Sequence, residues 1–412
     1  MFGLVYAAAC AQPPAGGRVV AADEFADEIS ASQYARMQTQ ADANIAALIR
    51  AGALRMPKAQ AAGGNLAWPL RARALFDAFG YHGVSNFVDH DARFPGLVQD
   101  YTCGKRTYDL ASGYNHAGTD YYLWPFPWLM MDQGQIEIVA AAPGVIVASQ
   151  DGNFDRNCAI GSSGNPNFVQ ILQDDGLSAI YLHMRSGSVT TVPVGTRVAV
   201  GDYLGLVGSS GSSSGPHMHF ELRDAHNAVI DPRHGQCNAS PDLWTVLQPY
   251  EDPHIDSLST HAAEPDQITC GSVGGEQFDD DPHYKDVFAP GDDVWVFVSY
   301  RDQRDGEPTS FTIVEPDGSS FAQWDFDLAD AGLSAAFFSG TSWDWKYTLP
   351  QSAPAGLWQV RAVFEGLSYA HEFVVEAPAI IGGALDRRRQ GAADATRCRP
   401  QTGDSTPFAC TQ

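Results

Sequence analysis

Gly215-Pro216-His217-Met218-His219-Phe220-Glu221 reads as a short β-strand. Side chains alternate across a strand, so residues two and four apart share a face. His217, His219 and Glu221 therefore project to one side, while Met218 and Phe220 turn to the other. Two more segments carry the same residue types: Asn115-His116-Ala117-Gly118-Thr119-Asp120 and Tyr181-Leu182-His183-Met184. His116 and Asp120, four apart, can also share a strand face, and Gly118 leaves room for the backbone to pass close to a metal. A lone histidine is usually structural; three such segments together read as a metal site. Catalytic zinc takes three protein ligands from His and Asp or Glu and keeps a fourth position for water. His116, Asp120, His183, His217 and His219 offer five candidates for three places. The two spare histidines suit a general base toward the bound water and a donor to the oxyanion. Glu221 either orients one ring from behind or is a solvated strand carboxylate.

Working outward, the chain is a run of short strands and turns. Phe168–Gln173 and Leu177–His183 flank Asp174-Asp175-Gly176, a hairpin signal, and Ile136–Ala141 pairs with Gly144–Gln150 around Pro143-Gly144. The Gly-Ser stretch from Gly208 to Gly215 is too long for a tight hairpin and is expected as a loop bordering the site. Upstream, residues 23–56 carry Phe25, Ile29, Met37, Ala41, Ile45, Leu48 and Ile49 at helical spacing, ended by Gly52 and Pro57. That segment is either a pro-region covering the groove or a docked helix, and the docked helix is preferred. From about Cys270 evenly spaced strands follow, with Trp295, Trp343, Trp345 and Trp358 available for a core, as in an immunoglobulin-like β-sandwich. The fold class expected is mainly β: an antiparallel β-sheet domain, an N-terminal helix and a C-terminal sandwich. The divisions are 1–22 leader, 23–64 helix and linker, 65–250 metal domain, 265–376 sandwich and 377–412 tail.

The three segments, in this order, resemble the lysostaphin or LytM type of zinc metalloendopeptidase, whose hallmarks are H-x3-D followed by H-x-H (duplicated hybrid motif fold). The surroundings agree: Val139–Ile146, Asn167–Ile171, Tyr181-Leu182-His183, Val194–Asp202, Gly208–Pro216 and Ile230-Asp231-Pro232. The resemblance runs from roughly Leu66 to Pro232. It implies one Zn2+ per chain held by His116, Asp120 and His219, with His183 and His217 catalytic. Long insertions between Phe79 and His116 and from Tyr121 to Gln135 depart from the pattern and leave the groove's preference open. Degenerate relatives that only bind partners typically lose a ligand, and none is missing here.

Composition is consistent with export. With 25 basic residues against 49 acidic, a net charge of −24 and only four lysines, nucleic acid and anionic membrane are poor partners. No stretch reaches the ~18 apolar residues of a membrane span. Met1–Ala9 followed by Cys10 resembles a short signal or a lipoprotein cleavage site, making Cys10 a lipidation candidate. Six cysteines remain, Cys103, Cys158, Cys237, Cys270, Cys398 and Cys410, with no C-x-x-C pair, as expected of disulfides in an oxidising compartment. Sequence neighbourhood suggests Cys103 with Cys158, Cys237 with Cys270, and Cys398 with Cys410. Asp279-Asp280-Asp281 could hold calcium, but a solvated charge run is preferred. The function expected is a secreted, periplasmic or envelope-anchored bacterial zinc endopeptidase, and the family resemblance implies peptidoglycan cross-bridges as its substrate. The rivals are a secreted protease on glycine-rich proteins and a non-catalytic activator of another wall hydrolase.

Overall fold

The computed structural model describes residues 13–21, 24–57, 65–161, 164–268 and 279–377. The expectations for Cys10, Cys270, Cys398, Cys410 and the tail from 378 lie outside the described residues. The chain opens with β1 (Gly16–Val19) and α1 (Ala31–Arg50). Next come β2 (Leu70–Ala72), β3 (His82–Asn86), β4 (Thr119–Leu123), α2 (Pro127–Asp132), β5 (Ile136–Val139) and β6 (Gly144–Gln150). They are followed by β7 (Phe168–Gln173), β8 (Ser178–Tyr181), β9 (Arg197–Val198), β10 (Tyr203–Leu206), β11 (His217–Arg223) and β12 (Val229–Ile230). The remainder holds β13 (His254–His261), β14 (Val287–Phe288), β15 (Asp293–Arg304), β16 (Thr309–Val314), β17 (Ser320–Phe326), β18 (Phe337–Thr348), β19 (Gly356–Phe364) and β20 (Leu367–Val375).

The larger sheet of the metal domain runs β3-β4-β11-β8-β7-β6-β9, with β12 also on β11. Its pairings are antiparallel. β11 lies between β4 and β8, with His219 opposite Asp120 and Phe220 opposite Tyr181. Alternation along it sends Met218, Phe220 and Leu222 into a core shared with Ile136, Ile138 and Leu204 of the small sheet β10-β5-β2. The opposite face is left with His217, His219 and Glu221.

α1 is shorter than its apolar spacing predicts. Ser30 caps it, with reciprocal bonds between Ser30 and Gln33 forming a capping box, so the helix starts at Ala31. It docks on β6: Asn44 Nδ2 donates to Val147 O at 2.8 Å, and Ile29, Met37 and Ala41 share a core with Val147, Phe168 and Leu182. Residues 24–29 stay outside the helix, with Phe25, Asp27 and Ile29 each buried elsewhere in the domain.

The C-terminal strands form a two-sheet sandwich, β1-β18-β15-β13 facing β14-β20-β19-β16-β17. β14 pairs in parallel with β20. Gly16–Val19, counted with the leader in sequence, and His254–His261, placed before the sandwich, both join its first sheet. Trp324, Trp345 and Trp358 fill the core and Trp343 lines it, whereas Trp295 points off it and is only partly buried. Alternation along β15 explains this, because its neighbours Val294 and Val296 take the inward positions.

Several contacts tie the sandwich to the metal domain. Tyr122 of β4 donates to Ser339 O at 2.6 Å. Arg106 pairs with Asp302 at 2.5 Å, both side chains nearly buried. Asp280 accepts from Trp128 N at 2.9 Å and Leu129 N at 3.2 Å, and from Ile268 N at 2.9 Å. Asp280 is therefore not part of a solvated run: it is buried and caps the start of α2.

The expected neighbour pairing of cysteines is overturned. Cys103 is bonded to Cys237, 134 residues away, with S–S 2.05 Å. The segments meet because Cys237 N donates to Tyr101 O at 2.8 Å, a backbone contact invisible to sequence distance. Cys103 thus pairs with neither Cys158 nor any other near neighbour, and Cys237 is not available to Cys270. Cys158 is disulfide-bonded as well.

Candidate metal centre

The fold brings His116, Asp120, His183, His217 and His219 together, each buried to 1 % exposure or less. Asp120 and His219 come from facing positions on β4 and β11. His116 precedes β4; its backbone N donates to Tyr108 O at 3.2 Å and its O accepts from Asp89 N at 2.8 Å. Gly118 serves a close approach, but to a side chain: a Cβ there would stand 2.6 Å from His219 Nε2. His183 follows β8 with φ 62°, a left-handed conformation uncommon for a non-glycine residue.

Every histidine of the cluster is held from behind. The Nδ1 atoms of His116, His183 and His217 lie 2.6, 2.6 and 2.8 Å from Phe87 O, Ser210 O and Gly215 O. A carbonyl only accepts, so each of these nitrogens carries a proton and each Nε2 turns inward. His219 is reversed: its Nε2 faces Glu221 Oε2 at 3.3 Å and its Nδ1 points to the centre. Glu221, fully buried, also accepts from Tyr34 and Arg223. It is no solvated carboxylate.

Four inward donors converge: His116 Nε2, Asp120, His219 Nδ1 and Asp27, all within 4.8 Å of one another. His116 Nε2 lies 3.0 Å from Asp120 Oδ2 and 3.2 Å from His219 Nδ1. His219 Nδ1 lies 3.0 Å from Asp120 Oδ1 and 2.7 Å from Asp27 Oδ2. A tetrahedral ion bound at the usual zinc distances spaces its donors about 3.3 Å apart, close to these separations. His217 Nε2, buried without a hydrogen-bond partner, adds an orphaned lone pair at the same place. The donor set fits zinc.

Asp27 carries no metal-site signal in the sequence, yet it lies at the heart of the cluster. Its Oδ2 is 3.1 Å from His183 Nε2 and 3.8 Å from His217 Nε2. Tyr114 Oη donates to Asp27 Oδ1 at 2.6 Å, and Tyr108 Oη donates to Asp27 O at 2.9 Å. Burial pushes the Asp27 carboxyl up, but the His219 charge and the other histidines facing it outweigh it and hold the group well below the carboxylate range. For Asp120, burial is likewise outweighed, chiefly by His116. Burial pushes His183 down. Burial and the nearby Asp27 hold Tyr108 and Tyr114 protonated far above their ordinary range.

Tyr34, Asn86, Tyr108 and Tyr114 were also missed by sequence reading, since a single polar residue with no spacing relation gives no pattern. Among the described residues, the converging acid and histidine groups are Asp27–His116–Asp120–His219 and Asp27–His183–His217. The side chains that could hold a metal lie on and beside an antiparallel sheet. Residues 128–232 match the model of peptidase family M23, and this part of the chain is an M23 domain of the LytM type. The match takes in His183, His217 and His219; His116 and Asp120 lie just before it.

An uncharacterized metalloprotease of Buchnera aphidicola is 33% identical over 67 residues, 16% of this chain and 17% of that protein. The chain thus spans under a fifth of that relative's length. A zinc-containing peptidase from Vibrio cholerae shares 19% identity over 41% of this chain and 39% of its own, with a TM-score of 0.25. The catalytic domain of a variant of the prophage-encoded M23 protein EnpA from Enterococcus faecalis shares 28% identity over 37% of this chain and 95% of its own, with a TM-score of 0.22.

Proposed function

We propose that the protein is a zinc endopeptidase that is latent in the form described. One observation carries this reading: Asp27 fills the centre of an otherwise complete His-Asp donor set, beside the two histidines left for proton transfer. His116, Asp120 and His219 would hold the ion. Bound zinc would polarise a peptide carbonyl and bring its water's pKa to about 7. His183 and His217, each with Nδ1 fixed on a backbone carbonyl, would use Nε2 to hold the water's proton and meet the tetrahedral oxygen. Glu221 would set the orientation of His219. With every one of these side chains buried, substrate can enter only when residues 24–29 leave.

Resemblance to the family supports peptidoglycan cross-bridges as the substrate and the bacterial envelope or exterior as the site of action. A second reading, a protease acting on proteins, is favoured by the apolar lining around residues 24–29, argued below. Zymography on purified cell wall and on casein, with and without chelator, tests both. Clearing of cell wall that chelator abolishes supports the first, and casein cleavage alone supports the second. Binding to cell wall without any hydrolysis overturns the enzyme reading. Elemental analysis should find about one zinc per chain; chelator-resistant activity with no bound metal would remove the site assignment.

A further inference from the structure

Residues 24–29 lie in the site as a segment that bends at Glu24 and Phe25, forms a single β-bridge at Asp27, and is bonded on both sides. Asp27 bridges antiparallel to Ser213. Ser214 N donates to Ala26 O at 3.0 Å and Glu28 N to Ser212 O at 3.1 Å. Ser214 Oγ accepts from Ala26 N at 2.8 Å. On the opposite side, Ser85 Oγ and Asn86 Nδ2 both donate to Phe25 O, at 2.8 and 3.0 Å. Asn86 Nδ2 also reaches Asp120 Oδ2 at 3.3 Å, so this carbonyl clamp adjoins the metal donors. Backbone bonds of this kind would hold any extended peptide, whatever its sequence.

Side chains add selectivity. Phe25, 2 % exposed, stacks on Tyr122 with ring centroids 4.4 Å apart and planes 6° apart, in a cluster with Trp124 and Val20. Gly215 forms the facing wall: a Cβ there would stand 3.0 Å from two atoms of the Phe25 ring. Two residues on, Asp27 puts its carboxylate among the donors.

We propose that residues 24–29 occupy the substrate's own groove, and that the space holding Phe25 is its specificity subsite. Once the segment leaves, an extended peptide binds in the same direction along Ser212–Ser214. Ser85 and Asn86 hold one of its carbonyls, and that residue's large apolar side chain lies between Tyr122 and Gly215. The residue two places later faces the metal donors. The proposal rests on the peptidase reading for its purpose, but not on peptidoglycan as substrate; glycine and alanine cross-bridges would leave this subsite empty.

The test uses the full chain carrying Phe25→Gly and Asp27→Ala, which loosens the segment without removing it. The probe is a labelled, end-blocked Glu-Phe-Ala-Asp-Glu-Ile peptide, compared by fluorescence anisotropy with its Phe-to-Gly analogue. Burial of a large aromatic side chain predicts roughly ten-fold or greater preference for the Phe peptide. Adding Gly215→Ala should cut that preference, and Gly215→Val should erase it. Unfolding midpoints within a few degrees of the parent show that these variants fold; the smaller Ala change keeps the test open if Val does not. Equal binding of both peptides, or binding of neither, overturns the proposal. Sequencing the products of a random peptide library separates it from the parent reading. Hydrolysis with no apolar preference two places before the residue at the metal donors overturns the subsite and leaves the peptidase. Selective binding with no hydrolysis of any substrate keeps the subsite and removes the peptidase.

Discussion

At the residue scale, the central question is which side chains hold metal and which move protons. His217 and His219 share a face of β11, but only His219 turns its inward nitrogen to within 3.2 Å of His116 Nε2 and 3.0 Å of Asp120. His219→Ala should therefore lose zinc and activity together. His217→Ala and His183→Ala should keep zinc near stoichiometric yet lose roughly 10²–10⁴ in rate, the usual worth of a positioned acid or base. Metal content and turnover on the same preparations decide this, and zinc loss in His217→Ala with retention in His219→Ala would reverse the roles. Asp27→Ala takes away the carboxylate that closes the site. Its turnover on small peptides should rise about ten-fold or more as the open population grows, with zinc retained. Unchanged or lower turnover in a zinc-loaded variant would show that Asp27 does not hold the site shut.

At the element scale, α2 is tied to the polypeptide leading into the sandwich by Asp280. Burial pushes this carboxyl up from 3.8 to about 6, against the pull of three backbone N–H donors and of Arg18. A raised acid pKa means that the folded chain binds the proton more tightly than the unfolded chain. The resulting stabilisation is whole below about pH 4 and is lost as pH rises through 6, a change of about 3 kcal/mol. Urea denaturation between pH 4 and 7 should show wild type losing this amount relative to Asp280→Asn, which cannot ionise. Parallel profiles for the two proteins would mean that the hydrogen bonds offset burial and the carboxylate is charged throughout.

At the scale of the whole molecule, metal domain and sandwich are joined through buried polar contacts. Arg106, on the long insertion before His116, reaches Asp302 of β15, while β4 carries both Asp120 and the sandwich contact of Tyr122. Arg106→Ala would strand the Asp302 carboxylate in a nearly dry place and should cost about 3–5 kcal/mol. Chemical unfolding of the wild type should follow one transition, because the sheet that bears the site leans on the sandwich. Two separate transitions in wild type, or a negligible loss in Arg106→Ala, would show that the domains are thermodynamically independent.

Much of this molecule was legible in its sequence for a definite reason. His217, Met218, His219 and Phe220 alternate because a strand alternates, and that period displays both the site face and the core face. Ser30 and Gln33 likewise carry a helix start within four residues, although the longer apolar spacing masked it. Local periodicity cannot report contacts between distant segments. Cys103 finds Cys237 because the backbones at Tyr101 and Cys237 are bonded. Asp280 is buried in an acidic run because α2 presents free N–H groups to it. Asp27 reaches the metal donors because the segment of residues 24–29 finds bonding partners at Ser212–Ser214 and Asn86. The sequence alone thus determined the donor types and the strand that carries them. Tertiary structure alone decided what lies against them, because burial and long-range hydrogen bonding depend on segments that no spacing rule connects.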